Sequence, residues 1–404
     1  MKKRVLLVNN SVYLPGEGGY KRTMYMFDMM KRNGYDVTLI TGDFNHYNKQ
    51  ARNIEMFRRQ YPDYNDIVFL HMPEYSKNIS LKRYFSEKYW SHMFKKWFAE
   101  NAKNYDVVLF SDIDYILPVD GICLKYGVKK IVDIRDLRPE AFHVIVKNDF
   151  FYKVLFFPMK MRADKAYACA DELIAVSQEY LNRGLKTNKK TKSPKVIYLG
   201  ATLDKYYAGV EKYSDSIYKE KDEIWIVYAG TLGASYDIMT ILKAAEILEK
   251  KRTERIVFKI LGQGPDAEEL KRYVLEHDIG NVEFLGFQPY EKMAAYLCKS
   301  DIAVNAVKRD ASQSIINKVG DYFAAGIPML NSCTCKEQME MVTVYKVGLN
   351  YEPEEPDDLF NKIEILLDNP EIMKTYGENA KKLALDKFYR EKTHEEILEL
   401  IDSI

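Results

Sequence analysis

The stretch "QSIINKVGDYFAAGIPML" (313–330) places Lys318 and Asp321 three residues apart at the start of a predicted helix that Gly326-Ile327-Pro328 ends. Side chains at that spacing share a helix face. A diphosphate at the helix N-terminus would meet backbone N–H groups and the Lys318 ammonium. A ribose one turn deeper would give its two hydroxyls to the Asp321 carboxylate. Gly320 costs about 1 kcal/mol of helix propensity, which fits a backbone that something approaches closely. From spacing alone, an ordinary amphipathic helix with an exposed lysine fits equally well. Two glycine loops bear on the choice. "PGEGGYKR" (15–22), with Gly18 and Gly19, lies between a strand and a helix. "AGTLGASYD" (229–237), with Gly230, Thr231 and Gly233, repeats that arrangement in the second half. Either could be a tight turn, or could hold an anion on backbone N–H groups. Two such loops at equivalent places point to a phosphate-containing ligand.

The elements that must position these residues alternate. "RVLLVNN" reads as a buried strand, and "YKRTMYMFDMMKRNG" then puts Tyr20, Met24, Phe27 and Met30 on one helical stripe. Gly34 suits the end of that helix. "DVTLIT", "DIVFLHM", "DVVLF", "KIVDI", "ELIAV" and "KVIYL" are further strands. The polar stretch 205–223 breaks the composition, and the pattern restarts with "IWIVYAG", "RIVFKILGQG", "VEFLGF", "DIAVNAV" and "IPMLNS". Strands alternating with helices imply parallel βαβ units. Two successive halves of this kind predict an α/β protein with two Rossmann-like domains facing a cleft. The expected division is 1–203, 204–384 and 385–404, the last a helix crossing back to the first.

Composition narrows the class. The 404 residues carry 60 Lys+Arg against 59 Asp+Glu, so nothing points to nucleic acid. No apolar run approaches a membrane span, and the N-terminus lacks a signal-peptide pattern. Among the five cysteines only Cys333 and Cys335 are close, with no histidine near them to complete a zinc set. This fits structural thiols in the cytoplasm, with the inner membrane face as a second location. One stretch, "SLKRYFSEKYWSHMFKKWFAE" (80–100), sets lysines and an arginine beside an aromatic stripe. That pattern fits an interfacial membrane helix or a core-packed helix with a basic outer face. "DFFYKVLFFPMKMR" (149–162) is a second candidate contact.

The order of motifs resembles the retaining nucleotide-sugar glycosyltransferases of family 4, with the GT-B fold, over nearly the whole chain. "PGEGGYKRTMYMFDMMKRNGYDVTLITG" is similar to that family's first loop, helix and strand. "VDIRDLRPEAF" (132–142) resembles the "RDLWPE" segment of a bacterial subgroup, with Arg138 in place of tryptophan. "ADELIAVSQEYLNRGL" and "ILGQGPDAEELKRYVLEHDIGNVEFLGFQPYEKMAAYLCKSDIAV" resemble later family segments. The subgroup builds surface polysaccharides and glycolipids. The resemblance puts the family's two motif glutamates on Gln313 and Asp321. It aligns the arginine and lysine that neutralise the diphosphate with Thr231 and Tyr236, so both charges are missing; Lys318 is the best replacement. Arg135 is the second, near where relatives carry a histidine; His143 reads as structural.

The resemblance thus implies catalytic parts for Lys318, Arg135 and Asp136. It implies nucleotide-sugar contacts from Gly18, Gly19, Gly230, Thr231, Gly233, Gly262, Phe287, Gln313, Ile316, Asn317, Lys318 and Asp321. The implied reaction moves a sugar from a nucleotide diphosphate sugar, UDP-linked in most of the subgroup, to a saccharide or polyprenyl-linked saccharide. It retains the anomeric configuration by a front-face route without an enzyme nucleophile. No cofactor and no metal are implied; "SDIDY" is the nearest match to a metal-binding acid pair, and its Asp112 and Asp114 read as a turn. The missing charges leave room for a catalytically weak partner subunit, and the fold leaves room for an epimerase.

Overall fold

The structure, a computed structural model, describes residues 2–17, 22–78, 80–144, 146, 148–311 and 315–404. It separates into two compact units, Met1–Ile197 with His394–Ile404, and Tyr198–Thr393. The first contains β1 (Arg4–Val8), β2 (Asp36–Gly42), a small hairpin of β3 (Phe44–Asn45) and β4 (Gln50–Ala51), β5 (Ile67–Leu70), β6 (Val107–Phe110), β7 (Lys129–Ile134), β8 (Glu172–Ala175) and β9 (Lys195–Val196). All but the hairpin form one parallel sheet, in the order β5-β2-β1-β6-β7-β8-β9. Its strands are apolar on both faces because both faces are covered. In β1, Leu6 and Val8 enter one core while Val5 and Leu7 enter the opposite one. The second core includes Met26, Phe27 and Met30 from the Arg22–Arg32 helix, and Ile397, Leu400 and Ile401 from the Arg390–Ser403 helix. The C-terminal helix therefore packs back on the first unit.

The second unit repeats the plan with β10 (Glu223–Ala229), β11 (Arg255–Leu261), β12 (Val282–Gly286), β13 (Ile302–Asn305), β14 (Met329–Asn331) and β15 (Gly348–Asn350). These pair in parallel in the order β12-β11-β10-β13-β14-β15. In each sheet the order reverses beside the first strand, between β1 and β6 and between β10 and β13. Ligands of open α/β sheets bind at the carboxyl ends of strands at such a reversal. Together the two parallel sheets with their covering helices make the GT-B architecture.

Two expectations change on contact with the fold. The polar break at 205–223 is largely the helix Leu203–Tyr213, which buries Leu203, Tyr206 and Gly209. It packs against the Tyr290–Lys299 helix so closely that a Cβ on Gly209 would stand 2.5 Å from the Glu291 Cα. Tyrosine and glycine do the packing that aliphatic residues usually do. In the Leu81–Asn101 helix, Trp90, Phe94 and Phe98 are fully buried while Tyr84, Phe85 and Tyr89 are exposed, so the aromatic stripe is core only in its later part. Among the described residues no helix is long and apolar enough to cross a membrane.

Replacing Gly209 by valine puts side-chain atoms where the neighbouring backbone already is. Overpacking of this kind costs about 1–3 kcal/mol. Urea denaturation is expected to show a lower midpoint with the same slope.

Candidate functional site

Backbone packing builds the floor of the candidate site. At the end of β10 the Gly230 N–H donates to the Leu261 carbonyl at 2.8 Å, and the Leu232 N–H donates to the Gln263 carbonyl at 3.1 Å. The two loops meet without side chains between them: a Cβ on Gly262 would lie 1.7 Å from the Gly230 carbonyl oxygen. Gly262 in turn donates to the Gly286 carbonyl at 2.8 Å, which brings the neighbouring Phe287, 67% exposed, to the edge of the same loops.

The helix Asn317–Ala325 closes the site from the other side of the strand reversal. Its left-handed C-cap, Gly326 at φ 71°, lets the chain turn directly into β14. Tyr322 pins the helix to the sheet, since its hydroxyl accepts the Ala229 N–H at 2.9 Å. Lys318, one turn earlier, consequently points at the glycine loop. Its Nζ lies 4.2 Å from the centroid of the Tyr228 ring and 4.0 Å from that of Tyr236. A Cβ on Gly230 would stand 2.8 Å from that nitrogen.

The Lys318 stem is half-buried, but the ammonium is out of water and has no hydrogen-bond partner among the described residues. Burial pulls its pKa down to about 7. The two ring faces offset part of the cost, about 1 kcal/mol each. Of the two readings, the exposed lysine does not hold: the helix is too close to β10 for the ammonium to reach solvent. Asn317 Oδ1 is also buried without a partner, and Ile316 at the N-cap offers no side chain to the first helical N–H groups. An unmatched cation, an unmatched acceptor and an uncapped helix N-terminus thus share one corner.

Asp321 lies one turn on, and no ion pair joins it to Lys318 among the described residues. It accepts a hydrogen bond from the Tyr290 hydroxyl at 2.8 Å. Burial pushes its pKa up to about 7, against the Tyr290 bond and the charge of Arg390. Gly320 is explained by packing rather than by a ligand: a Cβ there would lie 3.1 Å from the Phe388 ring. Thr231 is exposed on the loop, its carbonyl accepting the Tyr228 hydroxyl at 2.8 Å, and Gly233 is buried behind it. Gln313, Gly18 and Gly19 lie outside the described residues, as does the side chain of His143. Tyr228 and Tyr290 were not anticipated as site residues. The only signal for Tyr228 is a polar-tipped aromatic in "IWIVYAG", immediately before the glycine loop.

In the first unit, Arg135 follows β7. Its Nε donates to Asp133 Oδ2 at 2.8 Å and its Nη2 to Thr23 Oγ1 at 3.1 Å, with Ser111 as a further acceptor. Asp133 is fully buried and also pairs with Arg22, Nε to Oδ2 at 3.0 Å. Burial alone would raise its carboxyl, but the two guanidiniums outweigh burial and hold it below the ordinary value. Arg22 also reaches His394 Nε2 at 3.1 Å, tying the start of one helix to the C-terminal one. Asp136 is exposed, and Ser111, Asp112, Arg135, Asp136 and Arg138 line a pocket. Asp112 caps the turn Ile113–Tyr115 and pairs with Arg138 at 3.2 Å. His46, burial pushing it down to about 4, is neutral at pH 7 and contacts the Tyr75 hydroxyl.

Residues 210–383 match the family described as glycosyl transferases group 1, which places the match on the unit holding Lys318. The chain is a glycosyltransferase. An uncharacterised glycosyltransferase of Methanocaldococcus jannaschii, MJ1069, is similar along its whole length, 22% identical over 413 residues and 100% of each chain. Among solved structures, Anabaena Alr3699/HepE in complex with UDP is similar in fold, with a TM-score of 0.72 and 15% identity over 99% of this chain and 100% of that one. WaaG, a glycosyltransferase involved in lipopolysaccharide biosynthesis, is similar with a TM-score of 0.66 and 14% identity over 98% and 99%. The glycosyl transferase group 1 region contains every described site residue of the second unit.

Replacing Lys318 by methionine removes an uncompensated buried charge and keeps the stem. The ligand-free variant is expected to melt higher than the parent in scanning fluorimetry. Lysine is charged in both states below pH 7, where the penalty is complete. The penalty fades between about 7 and the unfolded value of 10.5, so the gain shrinks over that window. A lower melting temperature at pH 6 would show that the ring faces outweigh desolvation.

Proposed function

We propose that this glycosyltransferase moves a sugar from a UDP-sugar, with retention at the anomeric carbon, to a saccharide or polyprenyl-linked saccharide in cell-surface polysaccharide synthesis. The observation that carries the reading is the Lys318 ammonium, buried without an anion beside an uncapped helix N-terminus and against a glycine loop. A nucleoside diphosphate supplies the negative charge that this corner lacks. The UDP held by HepE and the lipopolysaccharide role of WaaG support the nucleotide and the acceptor class.

In this reading the phosphates lie against Gly230, Thr231 and the first N–H groups of the Asn317–Ala325 helix. Asp321, one oxygen held by Tyr290, accepts the ribose hydroxyls, and Phe287 stands at the base end. The acceptor oxygen attacks the anomeric carbon on the face that the diphosphate leaves. The bond from carbon to phosphate oxygen breaks as the new one forms, and the hydroxyl proton passes to the departing phosphate. Negative charge grows on that phosphate oxygen, so a fixed ammonium with oriented N–H donors lowers the barrier. The pocket around Arg135 and Asp136 is the proposed acceptor side.

Lys318→Ala is expected to lower kcat by at least about a hundredfold, and Asp321→Asn to act mainly on donor affinity. Calorimetry with UDP is the direct test: no binding at millimolar ligand would turn the reading toward a partner subunit. Affinity is expected to peak near pH 7. Above it Lys318 loses its proton, and below it Asp321 gains one, each near 7 in the free protein. Asp321→Asn should remove the acid limb only. Since Lys318 and the helix N-terminus supply the positive charge, turnover is expected to survive a chelator. Loss with EDTA that Mg²⁺ restores would assign the diphosphate to a metal instead.

A further inference from the structure

The helix Asp149–Cys169 has two halves of different character. Its C-terminal half sends Ala163, Ala166 and Tyr167 into the core of the first unit. Its N-terminal half is apolar apart from Asp149 at its start and Lys153. One side packs inward, where Phe156 stacks on Phe142 with centroids 5.3 Å apart and contacts Tyr152. The other side faces solvent with Phe150, Phe151, Val154, Leu155 and Phe157, which are 58 to 70% exposed. Positions 150, 154, 157 and 161 recur at helical spacing, with 151 and 155 beside them, so this is one continuous stripe. A helix lying on a water-soluble protein puts charge there. This one puts phenylalanine.

The surroundings indicate what covers the stripe. Between 150 and 162 the charged residues are Lys153, Lys160 and Arg162; Asp149 and Asp164 flank them, Lys160 pairing with Asp164 and Arg162 with Asp114. The neighbouring Leu81–Asn101 helix exposes Leu81, Tyr84, Phe85 and Tyr89 near its start. Both helices pack on the turns at 113–119, and Asp114 lies within electrostatic reach of Lys88 from one and Arg162 from the other. Between 81 and 98 that second helix carries Lys82, Arg83, Lys88, Lys95 and Lys96 against a single acid, Glu87. Exposed aromatic and aliphatic side chains framed by cations match the interface of an anionic bilayer, where the rings enter the headgroup boundary and the lysines stay at the surface. A second copy of the chain would bring two fields of the same sign together.

We infer that the N-terminal half of the Asp149–Cys169 helix, together with the start of the Leu81–Asn101 helix, seats this protein on an anionic lipid surface as a peripheral contact. The inference is independent of the donor reading, because no sugar enters it.

The test is flotation of the full chain with vesicles of phosphatidylcholine, alone or mixed with phosphatidylglycerol. Binding is expected to the mixed vesicles, and to weaken with added salt. The double variant Phe151→Ser, Leu155→Ser alters only exposed side chains, and an unchanged melting curve will show that it folds. It is expected to bind the mixed vesicles about a hundredfold more weakly. Lys88→Glu with Lys153→Glu should cost about tenfold on mixed vesicles. No flotation of the parent with either composition overturns the inference, as does full flotation of the serine variant. A parent dimer in light scattering that the serine variant converts to monomers also overturns it, in favour of self-association.

Discussion

A single ammonium held out of water sets the terms for the second unit. Burying a charge without a counter-ion is among the least favourable acts in folding. Here the stem of Lys318 is fixed by a helix that Tyr322 clamps to the end of β10. The nitrogen is enclosed by two tyrosine faces and by a glycine with no room for a side chain. Every neighbour either tolerates a cation weakly or leaves space beside it. None neutralises it. The loops that surround it are shaped by carbonyls packed on glycines, so the corner stays narrow, lined by backbone, and short of negative charge.

The first unit solves the opposite problem. Asp133 is a buried anion, and it is fully matched, by Arg22 on one side and Arg135 on the other. The ionic hub joins the start of the Arg22–Arg32 helix, the end of β7 and His394 of the C-terminal helix. Breaking one partner of such a set strands the rest, which usually costs several kcal/mol. Arg135 therefore has a structural tie that limits how far its guanidinium can move, and 20% of the side chain is all that solvent reaches.

Much of the fold was legible because its signals are local. Apolar runs such as "RVLLV" and "IWIVYA" can only be strands buried on both faces, and the glycine-to-helix steps after them mark the reversal of strand order. Spacing and the order of motifs singled out Lys318 and Asp321, and the structure places both on one helix. Their surroundings were not legible. That Lys318 is buried depends on Tyr228, ninety residues earlier in the chain, and no periodicity within the helix encodes that contact. Gly320 looked like room for a ligand and is room for Phe388, again a partner distant in sequence. The aromatic residues at 80–100 left two readings open because a core face and a lipid face use the same amino acids. Only burial separates Trp90 from Phe85.

The loop after β10 carries no cation of its own, yet an ammonium stands over it. The family resemblance puts a basic residue at the position of Tyr236, in the loop after β10. This chain carries a ring there and brings an ammonium over it from the far side of the strand reversal. A long side chain can thus bring charge to a glycine loop from a distant part of the chain. A search that scores loops for arginine and lysine would file such a protein among the inactive members of its fold. A search that asks which nitrogen approaches the glycine loop would not.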